Sequence, residues 1–431
     1  MKLPKLISGN IVLKITSLNA VVIAIRLIVS AFIQRLLAVT IGEVGIANIG
    51  QIRNLLAMLT TTSTLGMFSG VVKYVAEFKN DQPELSKLFS SVTLFIIIGS
   101  FGSAAILFFG ASYFSDYLFY SQAYIYVFQL LAVIVPFIAI NRVVNAVVSG
   151  LSDYKRYAKI ELISYLLGSA ALIYGLYSFD LKGVIIAIAL TPIIQLLVLA
   201  FVFGKTLNRY VQFKALSLNF IYKNKLLAFT LMSFISTFLI NYIELDIRSF
   251  VTKEININEA GYWTAMTFIS KNYMVFATGL FSLYVLPKFA SIHTKTEFKN
   301  EVLNIYKTIL PIFGLGMLLV YLLRNFIIEL IYPDFTGMEP LFKWQLLGDF
   351  IRLGSVVLAH QFLAKRLVKS FVITELISLS LFFVLTKVFI PYYGTEGVVL
   401  AHFIRYIIYF IVVAIVIWYY FKNISKNIND A

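Results

Sequence analysis

A chain of 431 residues that is 60% hydrophobic and 16% aromatic, with only 13% charged residues, is not a soluble globule. Its formal charge of +15 is spread over short connections, which argues for a membrane topology signal and against nucleic-acid binding. With no cysteine, disulfides, thiolate metal sites and a cysteine nucleophile are excluded.

Apolar runs long enough to cross a bilayer fall, in chain order, at 10–38, 45–78, 87–110, 121–149, 157–178, 183–204, 225–251, 260–288, 301–323, 341–365, 370–390 and 397–421. The first is flanked by Lys2, Lys5 and Lys14. It is too long for a signal peptide and has no clear small-residue cleavage site, so it reads as a retained helix. Twelve spans put both termini on one side. The loops on that side carry Lys79, Lys87, Lys155, Arg156, Lys159, Lys205, Arg209, Lys214, Lys223 and Lys225, then Lys288, Lys295, Lys299, Lys365, Arg366 and Lys369. The opposite loops hold Lys182, Lys253 and Arg324 among many acids, so the terminal side is expected to be cytoplasmic. The expected fold is an all-α polytopic membrane protein with twelve transmembrane helices.

The connection after the sixth span suggests a six-helix lobe at 1–208, a cytoplasmic linker at 209–224 and a second six-helix lobe at 225–431. An internal echo supports the division. Glu43-Val-Gly-Ile46 resembles Glu259-Ala-Gly-Tyr262, and Gly66-Met-Phe-Ser69 resembles Gly279-Leu-Phe-Ser282. An offset of six helices is a parallel repeat, with two lobes expected around a central basic cavity.

Charge inside the spans is the strongest functional signal. Arg26, Arg53, Arg142, Arg248, Lys271, Arg352 and Arg405 are countered by only three comparably placed acids, Glu244, Asp246 and Asp349. Seven such cations facing lipid would cost roughly 20 kcal/mol, so they are expected to face water, an acid or an anionic substrate. Polar residues recur at helical spacing. The stripes are Asn19, Arg26, Ser30, Gln34; Arg53, Ala57, Thr60, Thr64; Ser233, Thr237, Asn241, Glu244, Arg248; Thr264, Thr267, Lys271, Thr278; and Gln345, Asp349, Arg352, His360. The alternatives are local: Glu244 with Arg248 and Asp349 with Arg352 have ion-pair spacing, Ser and Thr stripes serve helix packing, and Arg142 and Arg405 lie near enough to the interfaces to snorkel. Arg26, Arg53 and Lys271 have no acid three or four residues away. His360 and His402 read as packing or interface residues, and Pro136 and Pro192 as kinks.

Enzyme signatures are lacking. Gly204-Lys205-Thr206 is not a phosphate loop, because position 199 is Leu where the motif needs Gly. Glu244-Leu-Asp246 has no outer catalytic domain to serve, no His-Glu-x-x-His helix exists, and Gly66 to Gly70 has its Ser in the wrong place for a nucleophile elbow. No catalytic residue, metal or cofactor is expected. A basic interior suits an anion, and Arg donates paired charge-assisted bonds to phosphate.

Several segments, spread over both halves, carry a family resemblance: Arg35-Leu-Leu-Ala-Val39, Gly66-Met-Phe-Ser-Gly-Val-Val-Lys-Tyr-Val-Ala76, Phe281-Ser-Leu-Tyr-Val-Leu-Pro287 and Trp344-Gln-Leu-Leu-Gly-Asp349. The chain resembles the bacterial O-antigen and lipid III flippases of the multidrug, oligosaccharidyl-lipid and polysaccharide exporter superfamily, most closely the enterobacterial common antigen lipid III branch. The resemblance implies an inner-membrane flippase, not an enzyme. It would move undecaprenyl-diphosphate-linked oligosaccharide from the cytoplasmic to the periplasmic leaflet by alternating access. It implies that Arg53 and Asp349 match lumen positions, while Arg352 stands where such relatives tend to carry Lys. Substrate contacts are expected from Arg26, Arg53, Arg142, Lys271, Arg352 and Arg405, and H+ or Na+ coupling or counter-ions from Asp349, Glu244, Asp246 and Arg248. Expected partners are the lipid-linked glycan, membrane lipids, and a glycan polymerase with its chain-length machinery. A cation-coupled multidrug exporter of the same fold is the alternative, followed by a membrane glycan polymerase or ligase.

Overall fold

A chain crossing hydrocarbon must satisfy its backbone hydrogen bonds within itself, and helices do so locally. The computed structural model describes residues 11–211, 217, 219–292 and 294–429, and among them there is no strand. Lys2, Lys5 and Lys214 lie outside the described residues, as do the side chains of Lys14, Asn19 and Thr278.

The chain divides into two compact units. The first comprises Met1–Ile41 and Asn48–Leu245, the second Gly42–Ala47 and Asp246–Ala431. The first unit holds α1 (Ile11–Thr62) apart from its residues 42–47, then α2 (Phe68–Phe78), α3 (Gln82–Phe109), α4 (Ala111–Phe119), α5 (Ile125–Gly150), α6 (Tyr154–Tyr210) and α7 (Lys223–Ser233). A π-helical turn at Phe234–Leu239 leads into α8, Ile240–Glu254. The second unit continues with α9 (Ile257–Leu280), a π-helical turn at Phe281–Val285, α10 (Leu286–Ser291), α11 (Lys295–Leu322) and α12 (Arg324–Ile331). It ends with α13 (Leu341–Ala364), α14 (Val368–Tyr393) and α15 (Glu396–Asn429).

Among the described residues nine helices are long and apolar enough to cross a membrane. Two of them contain two expected spans each. At 1.5 Å per residue, the 41 residues of Val22–Thr62 and the 56 of Lys155–Tyr210 exceed a hydrocarbon core of about 30 Å roughly twofold or more. Each is broken near its middle. Gly42 sits at φ 60° and Asp180 at φ 49°, where the chain leaves helical geometry. Glycine serves at the first break because left-handed backbone costs it nothing. The helix α9 is less apolar because of Thr264, Thr267 and Lys271, yet it lies in the expected eighth span, so the helices are consistent with twelve crossings. One boundary differs from expectation. The span placed at 45–78 ends at Thr62 and restarts at Phe68, because Leu65 (φ 45°) and Gly66 (φ 69°) turn the chain.

The first unit packs a core of Met67, Val71, Leu88, Phe89, Val147, Phe203 and Leu226. Small residues allow close helix approach. A Cβ on Gly99 would stand 2.6 Å from the Ser63 carbonyl oxygen, and one on Gly175 would stand 2.5 Å from that of Gly183. At one edge Tyr222 donates a hydrogen bond to Glu84, and burial together with that carboxylate pushes the tyrosine hydroxyl above the ordinary phenol range. Large apolar side chains point away from the packed core, with Phe201 89% and Phe109 85% accessible, as surfaces bathed in lipid require.

Candidate functional site

Two of the polar stripes, both on α1, line a cavity of about 470 Å³ within the first unit; among the described residues, the stripes at 233–248, 264–278 and 345–360 do not reach it. Before the Gly42 break, α1 contributes Arg26, Ser30, Ile33 and Gln34; after it, Arg53, Leu56, Ala57 and Thr60. The first half of α6 contributes Glu161, Ser164, Tyr165, Gly168, Ser169 and Leu172, and its second half Ile188, Thr191, Pro192 and Gln195. Each set recurs at three and four residues, so four helical segments each turn one face to the same space. Two arginines and one carboxylate leave the ionised lining positive.

Arg26 makes the cavity's long-range ion pair. Its Nη1 lies 2.9 Å from Glu161 Oε2, and its guanidinium sits 5.0 Å from the centre of the Tyr165 ring. The Tyr165 hydroxyl donates back to the Arg26 carbonyl oxygen at 3.2 Å, which fixes the two helices against each other. Behind Gln195, Asn141 donates to its Oε1 at 2.8 Å and Asn145 donates to Asn141 at 3.2 Å. Both arginine side chains are half-buried, so the cavity surface reaches charge without sealing it.

The second unit holds the opposite arrangement. Asp349 on α13 is fully buried. Its Oδ2 accepts from Ser270 Oγ and Tyr273 Oη, each at 2.5 Å, and from Gln345 Nε2 at 3.1 Å. Its Oδ1 faces His402 Nε2 at 3.1 Å and Arg352 Nη1 at 3.8 Å. Three helices, α9, α13 and α15, therefore meet on one carboxylate. The expected spacing pair of Asp349 with Arg352 is present as the longest edge of this larger cluster.

The remaining candidates lie apart from these two centres or at their margins. Arg248, 1% accessible, donates from Nε to Thr264 Oγ1 at 2.7 Å and lies 5.1 Å from the Trp263 ring centre. Asp246 pairs with Lys387 at 3.0 Å. Arg405 is buried, donates to Ser378 Oγ at 2.7 Å and is flanked by the rings of Phe382 and Tyr406. Arg142 is exposed, with its guanidinium 3.7 Å over the Phe68 ring, Lys271 is exposed and Glu244 half-buried. His360 is held by the Val356 carbonyl oxygen and the Phe281 ring. No group of His, Asp and Glu suited to a metal occurs among the described residues.

Two further acids, Glu161 on α6 and Glu375 on α14, and the cation Lys387 lie in helices that are long and apolar enough to cross a membrane. Glu375 accepts from the Tyr409 hydroxyl at 2.6 Å. The signal for Glu161 was present in the chain, since 161, 164, 165, 168, 169 and 172 form one helical face. His402 gave no spacing signal, because its partner lies 53 residues away.

No protein-family model matches the chain. It is 27% identical to the lipid III flippase of Escherichia coli (strain K12) over 379 residues, which covers 88% of this chain and 91% of that protein. The lipid III flippase of Shigella flexneri matches to the same extent. Among solved structures, an inward-facing multidrug resistance MATE family transporter of the MOP superfamily superposes with TM-score 0.75 at 13% identity, covering 90% of this chain and 94% of that one. The lipid II flippase MurJ in an inward closed conformation gives 0.73 at 16% identity, covering 92% and 87%. The chain is thus a polytopic membrane protein with the fold of the MOP superfamily, and it is similar over most of its length to lipid III flippases.

Proposed function

We propose that this protein flips an undecaprenyl-diphosphate-linked oligosaccharide from the cytoplasmic to the periplasmic leaflet of the bacterial inner membrane by alternating access. The observation that carries the reading is the placement of Arg26 and Arg53, from two different segments of α1, on one polar cavity. A diphosphate presents several charged oxygens, and two guanidinium groups lining one cavity match them in sign. The isoprenoid tail stays in hydrocarbon while the head exchanges water for these donors. Arg142, Lys271 and Arg352 are assigned as further substrate contacts by their charge. Arg405 takes part only in a state that frees it from Ser378.

Coupling to an ion gradient is assigned to Asp349, with Glu244, Asp246 and Arg248 as counter-ions. A carboxylate surrounded by hydroxyls, an amide, an imidazole and a guanidinium has many donors to exchange as its helices shift. Both termini are cytoplasmic in this reading, following the Lys and Arg bias of the loops. A six-helix lobe on either side of the 209–224 connection rocks around the substrate, which is handed to a glycan polymerase and its chain-length machinery.

The test is the leaflet location of undecaprenyl-diphosphate-linked glycan in cells depleted of the protein. Accumulation in the cytoplasmic leaflet, reversed by wild type and not by Arg53→Ala, is expected. Normal periplasmic glycan in depleted cells would refute flipping and favour export of organic cations, whose signature is hypersensitivity to cationic drugs in the same strain.

A further inference from the structure

The first unit's cavity contains an anion of its own. Glu161 holds Arg26 at 2.9 Å, on the wall where the proposed function places the substrate diphosphate. Both side chains are accessible, 41% for Arg26 and 30% for Glu161, so water screens the pair and it is weakly held. The two groups come from helices 135 residues apart in sequence, which makes the contact a property of how α1 and α6 are apposed. Tyr165, one helical turn from Glu161, keeps the Arg26 backbone in place through its hydroxyl, so the arginine side chain changes partner without moving its helix.

We propose that Glu161 is a resident counter-ion that competes with the diphosphate for Arg26 and thereby sets substrate release. This inference rests on the reading of the cavity as a diphosphate site. On entry, the diphosphate offers more acceptor oxygens and more charge than one carboxylate, so it displaces Glu161 from Arg26. The freed carboxylate then stands beside a bound anion, and their repulsion keeps affinity below what two arginines alone would give. When the cavity opens to the other leaflet, Glu161 recaptures Arg26 and the diphosphate leaves. Without it, a site of two arginines would bind well and turn over slowly, because tight ground-state binding raises the barrier to leaving.

The experiment measures farnesyl diphosphate binding to the full-length protein in detergent, and glycolipid flipping by the same protein in vesicles, for wild type, Glu161→Gln, Glu161→Asp and Arg26→Ala. Glu161→Gln keeps size and one acceptor oxygen while removing charge. It is expected to bind about tenfold tighter or more, with slower dissociation and a lower turnover. Glu161→Asp keeps the charge and is expected to bind like wild type, which separates charge from mere disturbance of the wall. Unchanged or weaker binding in folded Glu161→Gln overturns the counter-ion role. Unchanged binding in Arg26→Ala removes Arg26 from the diphosphate site, a failure of the cavity reading that the Glu161 variants do not mimic.

Discussion

The two units treat buried charge in opposite ways. In the first, Arg26 and Glu161 pair across a cavity with 41% and 30% of their side chains accessible. In the second, Asp349 is sealed at 0%, accepts from Ser270, Tyr273 and Gln345, and faces His402 and Arg352. An accessible pair has little stability to lose and can change partner at low cost. A sealed carboxylate is held by its surroundings as a group, and removing it leaves buried donors without their acceptor. Under the proposed function, the difference separates an ion pair that exchanges for substrate from a cluster that ties three helices to one carboxylate.

The sharpest way to break this comparison is at Asp349. Replacement by Leu leaves Arg352, Tyr273 and Ser270 facing an apolar group, and a loss of about 3–5 kcal/mol in unfolding stability is expected. Thermal unfolding of the purified protein in detergent measures it. Asp349→Asn keeps one acceptor oxygen for the two hydroxyls and is expected to fold but to lose gradient-driven transport. Full transport by Asp349→Asn with and without a proton gradient would remove the coupling role and leave a structural one. A somewhat smaller effect is expected at Gly261, where a Cβ would stand 2.4 Å from the Glu43 carbonyl oxygen. Gly261→Val forces the α9 start away from the 42–47 segment, at a cost of about 1–3 kcal/mol read by the same unfolding measurement.

Much of this was legible in the chain, for physical reasons that differ between the two sites. Bilayer thickness made the spans visible, and helical period placed Arg26, Ser30 and Gln34 on one face and Arg53, Ala57 and Thr60 on another. That both faces share a cavity depends on the Gly42 break, whose geometry no periodicity encodes. The merging of spans into single helices was equally hidden, since Asp180 at φ 49° gives no compositional warning. The Asp349 cluster was readable only along its own helix, where Gln345 and Arg352 share its face. Ser270, Tyr273 and His402 reach it from other helices, and Glu161 reaches Arg26 across 135 residues. Tertiary ion pairs carry no sequence spacing.

At Arg53 the comparison predicts a functional loss. Arg53→Ala is expected to lower flipping in vesicles by about tenfold or more, the equivalent of losing one charge-assisted contact of about 1.5–3 kcal/mol. Arg53→Lys distinguishes charge from fork geometry. Retention of transport assigns the role to charge, and a loss equal to that of Ala assigns it to paired donation.

The smallest effect is expected where the pair is most accessible. Arg26→Ala removes the Glu161 ion pair, but screening and the freedom of both side chains limit that pair to about 0–1 kcal/mol. The Tyr165 hydroxyl keeps its bond, because its acceptor is the Arg26 backbone, which alanine retains. Unfolding stability of Arg26→Ala should therefore stay within about 1 kcal/mol of wild type. A loss comparable to that of Asp349→Leu would show that the first unit, too, depends on a locked ion pair, and the contrast between an exchangeable charge and a fixed one would fall.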